Sequence, residues 1–78
     1  MRNKNLIKFG SRLKELRIAE KKTQSNMADL LGCSVSNYQK IEYGEINIPI
    51  LNLMILAVYF GVTTDYLLGR TDEGGPAE

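Results

Sequence analysis

Seventy-eight residues, 44% of them hydrophobic and 24% charged, suit one globular domain around one small core and exclude a long disordered chain. There is no histidine, one cysteine, no glycine-rich phosphate loop and no paired metal-ligand spacing, so the sequence offers no catalytic residue, no metal site and no internal disulfide, and no cofactor is expected. The net charge of +1 conceals an asymmetry: up to Glu42 nine basic residues stand against four acidic ones, giving +5, and beyond it one basic residue stands against five acidic ones, giving −4.

That asymmetry suits one positive face turned to a polyanion, and equally a set of solvated helix faces. Met1–Lys8 lacks the apolar centre of a secretory signal. The longest apolar stretch, Pro49–Phe60, is shorter than the roughly 18 residues of a membrane span and is interrupted by Asn52, so a cytoplasmic protein without a membrane partner is expected.

In chain order, Leu6, Phe9, Leu13 and Leu16 recur at three- and four-residue spacing among lysines and arginines, which predicts an amphipathic helix from about Leu6 to Glu20. Thr23 supplies an N-cap for a short second helix carrying Met27, Ala28, Leu30 and Leu31, and Gly32 supplies the left-handed residue that ends it. Ser34 caps a third helix, on which Tyr38 and Ile41 lie three apart and which Gly44 stops. The stretch Glu45–Ile48 has no helical period and reads as a loop. Pro49 suits the first turn of a fourth helix reaching Phe60 and ended by Gly61. Thr63 or Thr64 caps a last short helix through Leu68, closed by Gly69. The expected fold is therefore all-α, a compact five-helix domain over residues 1–69, with 70–78 a flexible acidic Gly/Pro tail or the start of a linker.

The segment from Thr23 to Gly44 carries the functional signal. Ala28 is small where two helices cross, Gly32 permits the sharp turn, and Met27, Leu31, Tyr38 and Ile41 face the core that sets the angle between the helices. Tyr38 is expected to pack its ring and extend its hydroxyl to solvent. Val35, Ser36, Asn37, Gln39 and Lys40 then point outward, and short polar side chains with one lysine on a protruding helix are what base edges and phosphates require. Cys33 occupies an apolar position of the turn, where packing is the expected role, and Tyr43, Tyr59 and Tyr66 read as core or rim residues.

At these residues the sequence resembles the Cro/cI-type, or xenobiotic-response-element, helix-turn-helix repressors. The resemblance covers about Leu6 to Arg70 and is carried by Thr23-Gln24, Ala28, Leu31-Gly32, Ser34, Ile41-Glu42, Gly44, Pro49 and Asp65-Tyr66-Leu67-Leu68-Gly69. It implies sequence-specific binding of double-stranded DNA by a transcriptional regulator, a repressor reading a palindromic operator with its third helix in the major groove. It further implies that Val35, Ser36 and Lys40 read base edges, that Asn37 and Gln39 touch bases or the adjoining backbone, and that Thr23, Gln24 and Asn47 meet phosphates. Arg17 matches a position whose guanidinium pairs with the acid at Glu42, against the alternative of a surface arginine without a fixed partner. Arg12, Lys21 and Lys22 are expected to be solvated, with phosphate contact the lesser alternative. Ser25, Asn26 and Val35 depart from the usual residue types, so the operator sequence does not follow by analogy.

On the fourth helix Leu53, Leu56, Ala57 and Phe60 form the inward stripe, yet Leu51, Ile55 and Val58 form a second apolar stripe at the same spacing. Two outcomes are open for it: a homodimer interface, or coverage by helix 5 and the 45–48 loop. The rival to a DNA-binding role is a protein-interaction module, antitoxin-like or an adaptor, using this second face for an additional protein partner.

Overall fold

Asn3 sets the start of the first helix: its side-chain oxygen accepts the backbone N–H groups of Asn5 and Leu6 at 2.7 and 3.3 Å. The computed structural model describes residues 3–73, and α1 runs Lys4–Ala19, two residues ahead of the apolar pattern because the cap lies outside that pattern. Phe9 and Leu13 are buried and Leu16 packs at the core's edge. Lys21, with φ of 57°, turns the chain sharply toward Thr23.

Thr23 and Asn26 cap α2 (Gln24–Leu31) reciprocally, each side-chain oxygen accepting the other's backbone N–H at 3.0 Å. Gly32, at φ of 70°, ends α2 in the left-handed region, and two residues later Ser34 Oγ accepts the Asn37 N–H to open α3 (Val35–Glu42). That short turn fixes the two helices as one unit. Met27, Ala28, Leu31, Tyr38 and Ile41 are all buried between them and α1.

The fourth helix, α4, spans Ile50–Phe60, with Pro49 in the N-cap position one residue before the expected first turn and no side-chain cap. Thr63, not Thr64, caps α5 (Thr64–Leu67), its hydroxyl accepting the Tyr66 N–H at 3.0 Å. Leu56, Ala57, Val62 and Leu67 close the core from this side. Leu53 and Phe60 pack against it half-buried, so the inward stripe of α4 lies where its spacing predicts.

The architecture is all-α and five-helical, with no strand among the described residues. Among the same residues no helix is long and apolar enough to cross a membrane. Two glycines set the closest approaches. Gly10 is buried on α1 where that helix crosses the end of α3, and a Cβ there would lie on the Glu42 carbonyl and 2.9 Å from the Ile41 oxygen. Gly44, at φ of 75°, abuts the backbone of Ile7, whose nitrogen is 2.7 Å from where its Cβ would be.

Arg12 departs from the expected solvated state. Its side chain is 13% exposed, its guanidinium lies 4.0 Å over the Tyr66 ring, and it donates to the carbonyl of Tyr66 at 3.1 Å and to Asp72 Oδ1 at 3.1 Å. The segment just after α5 is thereby tied to α1, a long-range arrangement that helix periodicity does not encode. The expected tail falls partly here, and its remainder, 74–78, lies outside the described residues.

Candidate nucleic-acid interface

The two faces of α3 have opposite characters. Tyr38, Ile41 and Glu42 are buried, whereas Val35, Ser36, Asn37 and Lys40 are exposed and Gln39 is half-buried at the border with α2. The structure therefore brings four outward side chains of varied chemistry onto one helical surface. Thr23 is exposed at the start of α2, and Asn47 is exposed in the 45–49 loop. Lys21 and Lys22 are exposed in the turn before α2.

Beneath this surface lies a hydrogen-bonded brace centred on the Glu42 carboxylate, whose side chain is 1% exposed. Arg17 Nε donates to Glu42 Oε2 at 2.6 Å, and a terminal guanidinium nitrogen donates to Oε1 at 3.3 Å. The other terminal nitrogen of Arg17 donates to the Lys22 carbonyl at 2.9 Å, so one residue holds α1, the α1–α2 turn and α3 together. The carboxylate hydrogen bond raises the Arg17 pKa, and the guanidinium stays charged.

Tyr38 completes Oε2 by donating its hydroxyl at 2.6 Å. The expectation that this hydroxyl extends to solvent is corrected: Tyr38 is fully buried, because the ring follows the core face of α3 and its tip meets the acid one turn on. Burial first, and then the hydrogen bond to Glu42, push the phenol pKa well up.

Gln24 carries the network to the surface. Its Nε2 donates to Glu42 Oε1 at 3.2 Å, and its Oε1 accepts from Gln39 Nε2 at 3.0 Å. The sequence treats Gln24 and Gln39 as separate contacts, one for phosphate and one for bases; the structure joins them. Fifteen residues separate the two, and no periodic signal links them. Gly10 is likewise silent in the sequence, where a glycine inside a helical run reads only as a weaker helix position, and its close approach to α3 comes from the structure.

On α4, Leu51, Ile55 and Val58 are 67%, 40% and 83% exposed. Within the chain, then, neither α5 nor the 45–48 loop covers the second stripe, because α5 packs on the opposite side through Leu67. Met54 and Tyr59 widen the exposed apolar face.

A short α2, a tight turn and an α3 locked through one face and open on the other define a helix-turn-helix domain of the Cro/cI type. The helix-turn-helix family model matches residues 13–67, and the chain belongs to that family. It is 38% identical over 68 residues, 87% of this chain and 61% of the relative, to the uncharacterized HTH-type transcriptional regulator YobD of Bacillus subtilis strain 168. It is 41% identical over 69 residues, 86% of this chain and 62% of the relative, to the cryptic phage CTXphi transcriptional repressor RstR of Vibrio cholerae. Among solved structures it is similar to the restriction-modification controller protein C.AhdI from Aeromonas hydrophila, with a TM-score of 0.73 and 34% identity over 83% of this chain and 98% of that one. The chain spans about three fifths of the length of these curated relatives.

Proposed function

We propose that this chain is the DNA-binding domain of a cytoplasmic transcriptional regulator, a repressor, that places α3 in the major groove of a specific double-stranded site. The observation that carries this role is the division of α3 into a face immobilised by Tyr38, Ile41 and Glu42 and a face open through Val35, Ser36, Asn37 and Lys40. A reading helix must be rigid beneath and chemically varied above. In this role Lys40 donates to guanine, Val35 packs on a thymine methyl, and Ser36, Asn37 and Gln39 bond to base edges or the adjoining backbone. Thr23, Gln24 and Asn47 meet phosphates, and neutralised phosphates give a log–log salt slope of about −0.9 each. The relatives named as regulators and as a repressor support the same role.

Selection from a random duplex library tests it, with the wild type and a Ser36→Ala/Lys40→Ala variant run side by side. Recovery of a motif by the wild type alone is the expected result. Equal recovery by both proteins would remove α3 from the recognition step.

The palindromic operator and the homodimer form the finer part of the proposal, with half-site centres about 34 Å apart on one face of B-DNA. The exposed Leu51, Ile55 and Val58 stripe supports a second copy as the partner. The same stripe also favours a second role, the docking of an additional protein. If Ile55→Asp abolishes capture of such a protein while Lys40→Ala leaves DNA binding intact, the interaction module gains over the DNA reader.

A further inference from the structure

The buried end of the Glu42 network dictates the order of donors and acceptors at its exposed end. Glu42 carries two oxygens and each accepts two bonds, from Arg17 and Tyr38 on Oε2 and from Arg17 and Gln24 on Oε1. An ionised carboxylate accepts only, and a guanidinium donates only. Gln24 must therefore turn its NH2 group to Glu42, because its carbonyl oxygen there would face lone pairs. Its oxygen is then left for Gln39, which must in turn present its own NH2. A flip of either amide breaks the chain at an acceptor–acceptor or a donor–donor contact.

One N–H of Gln39 is thus committed to Gln24, while its carbonyl oxygen and second N–H make no bond among the described residues. We infer that Glu42, acting through Gln24, fixes the Gln39 amide so that α3 offers one acceptor beside one donor, the pair that matches adenine N6 and N7 in the major groove. Guanine presents two acceptors there and requires both N–H groups of a glutamine, one of which is already spent. Gln39 is then a specificity-determining residue, and Gln24 is its positioning residue as well as a phosphate contact. This rests on the DNA-binding role proposed above.

The test uses the motif selected by the wild type. Gln39→Ala identifies the base pair under Gln39 as the one whose preference it erases, and that base is expected to be adenine, favoured over guanine on the order of tenfold. Replacing it with 7-deazaadenine, which lacks the N7 acceptor, is expected to weaken wild-type binding severalfold. Gln24→Met, checked for helical content, frees the Gln39 amide, and the preference at that one base pair is expected to fall to within about threefold while the Ser36 and Lys40 positions keep theirs.

A wild-type preference for guanine under Gln39 overturns the inference, as does no loss with 7-deazaadenine. So does a Gln24→Met variant that weakens all sequences equally, which is the behaviour of a phosphate contact alone. If Gln39→Ala shifts no base preference, Gln39 reads no base and the inference fails while the motif itself stands. Failure of the wild type to select any motif is a different result, since it removes the DNA-binding role and this inference with it.

Discussion

A carboxylate taken out of water is tolerated only where its lone pairs are filled, and at Glu42 the donors come from three helices. Removing one partner is therefore costlier than the pair's net worth. Arg17→Ala strands a fully buried charge and is expected to cost about 3 kcal/mol in urea unfolding, whereas exposed Lys14→Ala should cost almost nothing. Tyr38 gives a pH test with a defined sign. Its folded-state pKa is raised, by burial above all, over the ordinary value of about 10, so its contribution is whole below that pH and is lost as pH climbs past it. In Tyr38→Phe the alkaline fall in stability is expected to be shallower than in the wild type, and the wild-type-minus-variant absorbance at 295 nm should show the missing phenolate only as helical signal is lost. Parallel alkaline unfolding curves for the two proteins would contradict this. The type of each of these residues was legible in the sequence, and family resemblance paired Arg17 with Glu42 across 25 positions. Tyr38 as the second donor was not, since an aromatic at a core position gives no sign of whether its tip meets water or an acid.

At the scale of helices, caps and turns carried most of the information: Thr23, Gly32 and Ser34 bound the helix-turn-helix where the sequence places it, because each satisfies backbone groups locally. The packing of α1 on α3 was less legible. Gly10 resembles a weak link in a helix, and by propensity alone Gly10→Ala should stabilise by about 1 kcal/mol. Its absent Cβ, however, is what lets the α1 backbone reach the Ile41 and Glu42 carbonyls, which are backbone atoms unable to swing aside. Gly10→Ala is therefore expected to lower the melting temperature by about 10 °C or more, since overpacking of this kind costs some 1–3 kcal/mol and a small domain shifts several degrees per kcal/mol. Gly32→Ala gives the contrasting case: nothing lies within 4 Å of its Cβ position, and only the φ of +70° is charged against it, about 1 kcal/mol. A Gly10→Ala protein melting at or above the wild-type temperature would mean that α1 does not cross α3 this closely. The Arg12 clasp on Tyr66 was hidden for a related reason, since a basic residue between apolar helix positions looks solvated until a distant ring and carbonyl are brought to it.

At the scale of the molecule, five helices among the described residues enclose one core, and α4 is left with more apolar surface than that core can cover. Leu51 and Val58 stand 67% and 83% exposed, flanked by Met54 at 54%, on the side of α4 away from Leu56 and Ala57. Scattered apolar residues on a surface need no explanation, but a contiguous helical face of this kind marks an interaction site. The second copy proposed above is the occupant that would also match a two-fold DNA site, because an isologous contact through one helix would set two reading helices in a fixed relation. Ile55→Asp places a charge at the middle of that face at a position already 40% exposed, so the fold should tolerate it while the contact does not. In analytical ultracentrifugation at tens of micromolar the wild type is expected to sediment with the mass of two chains and the variant with the mass of one, at equal helical content. DNA binding should then weaken for the variant on a full palindrome yet stay unchanged on an isolated half-site, because what is lost is the gain from linking two readers rather than any contact made by α3. A wild type that sediments as one chain and binds full and half sites alike would leave the α4 face to a different protein partner.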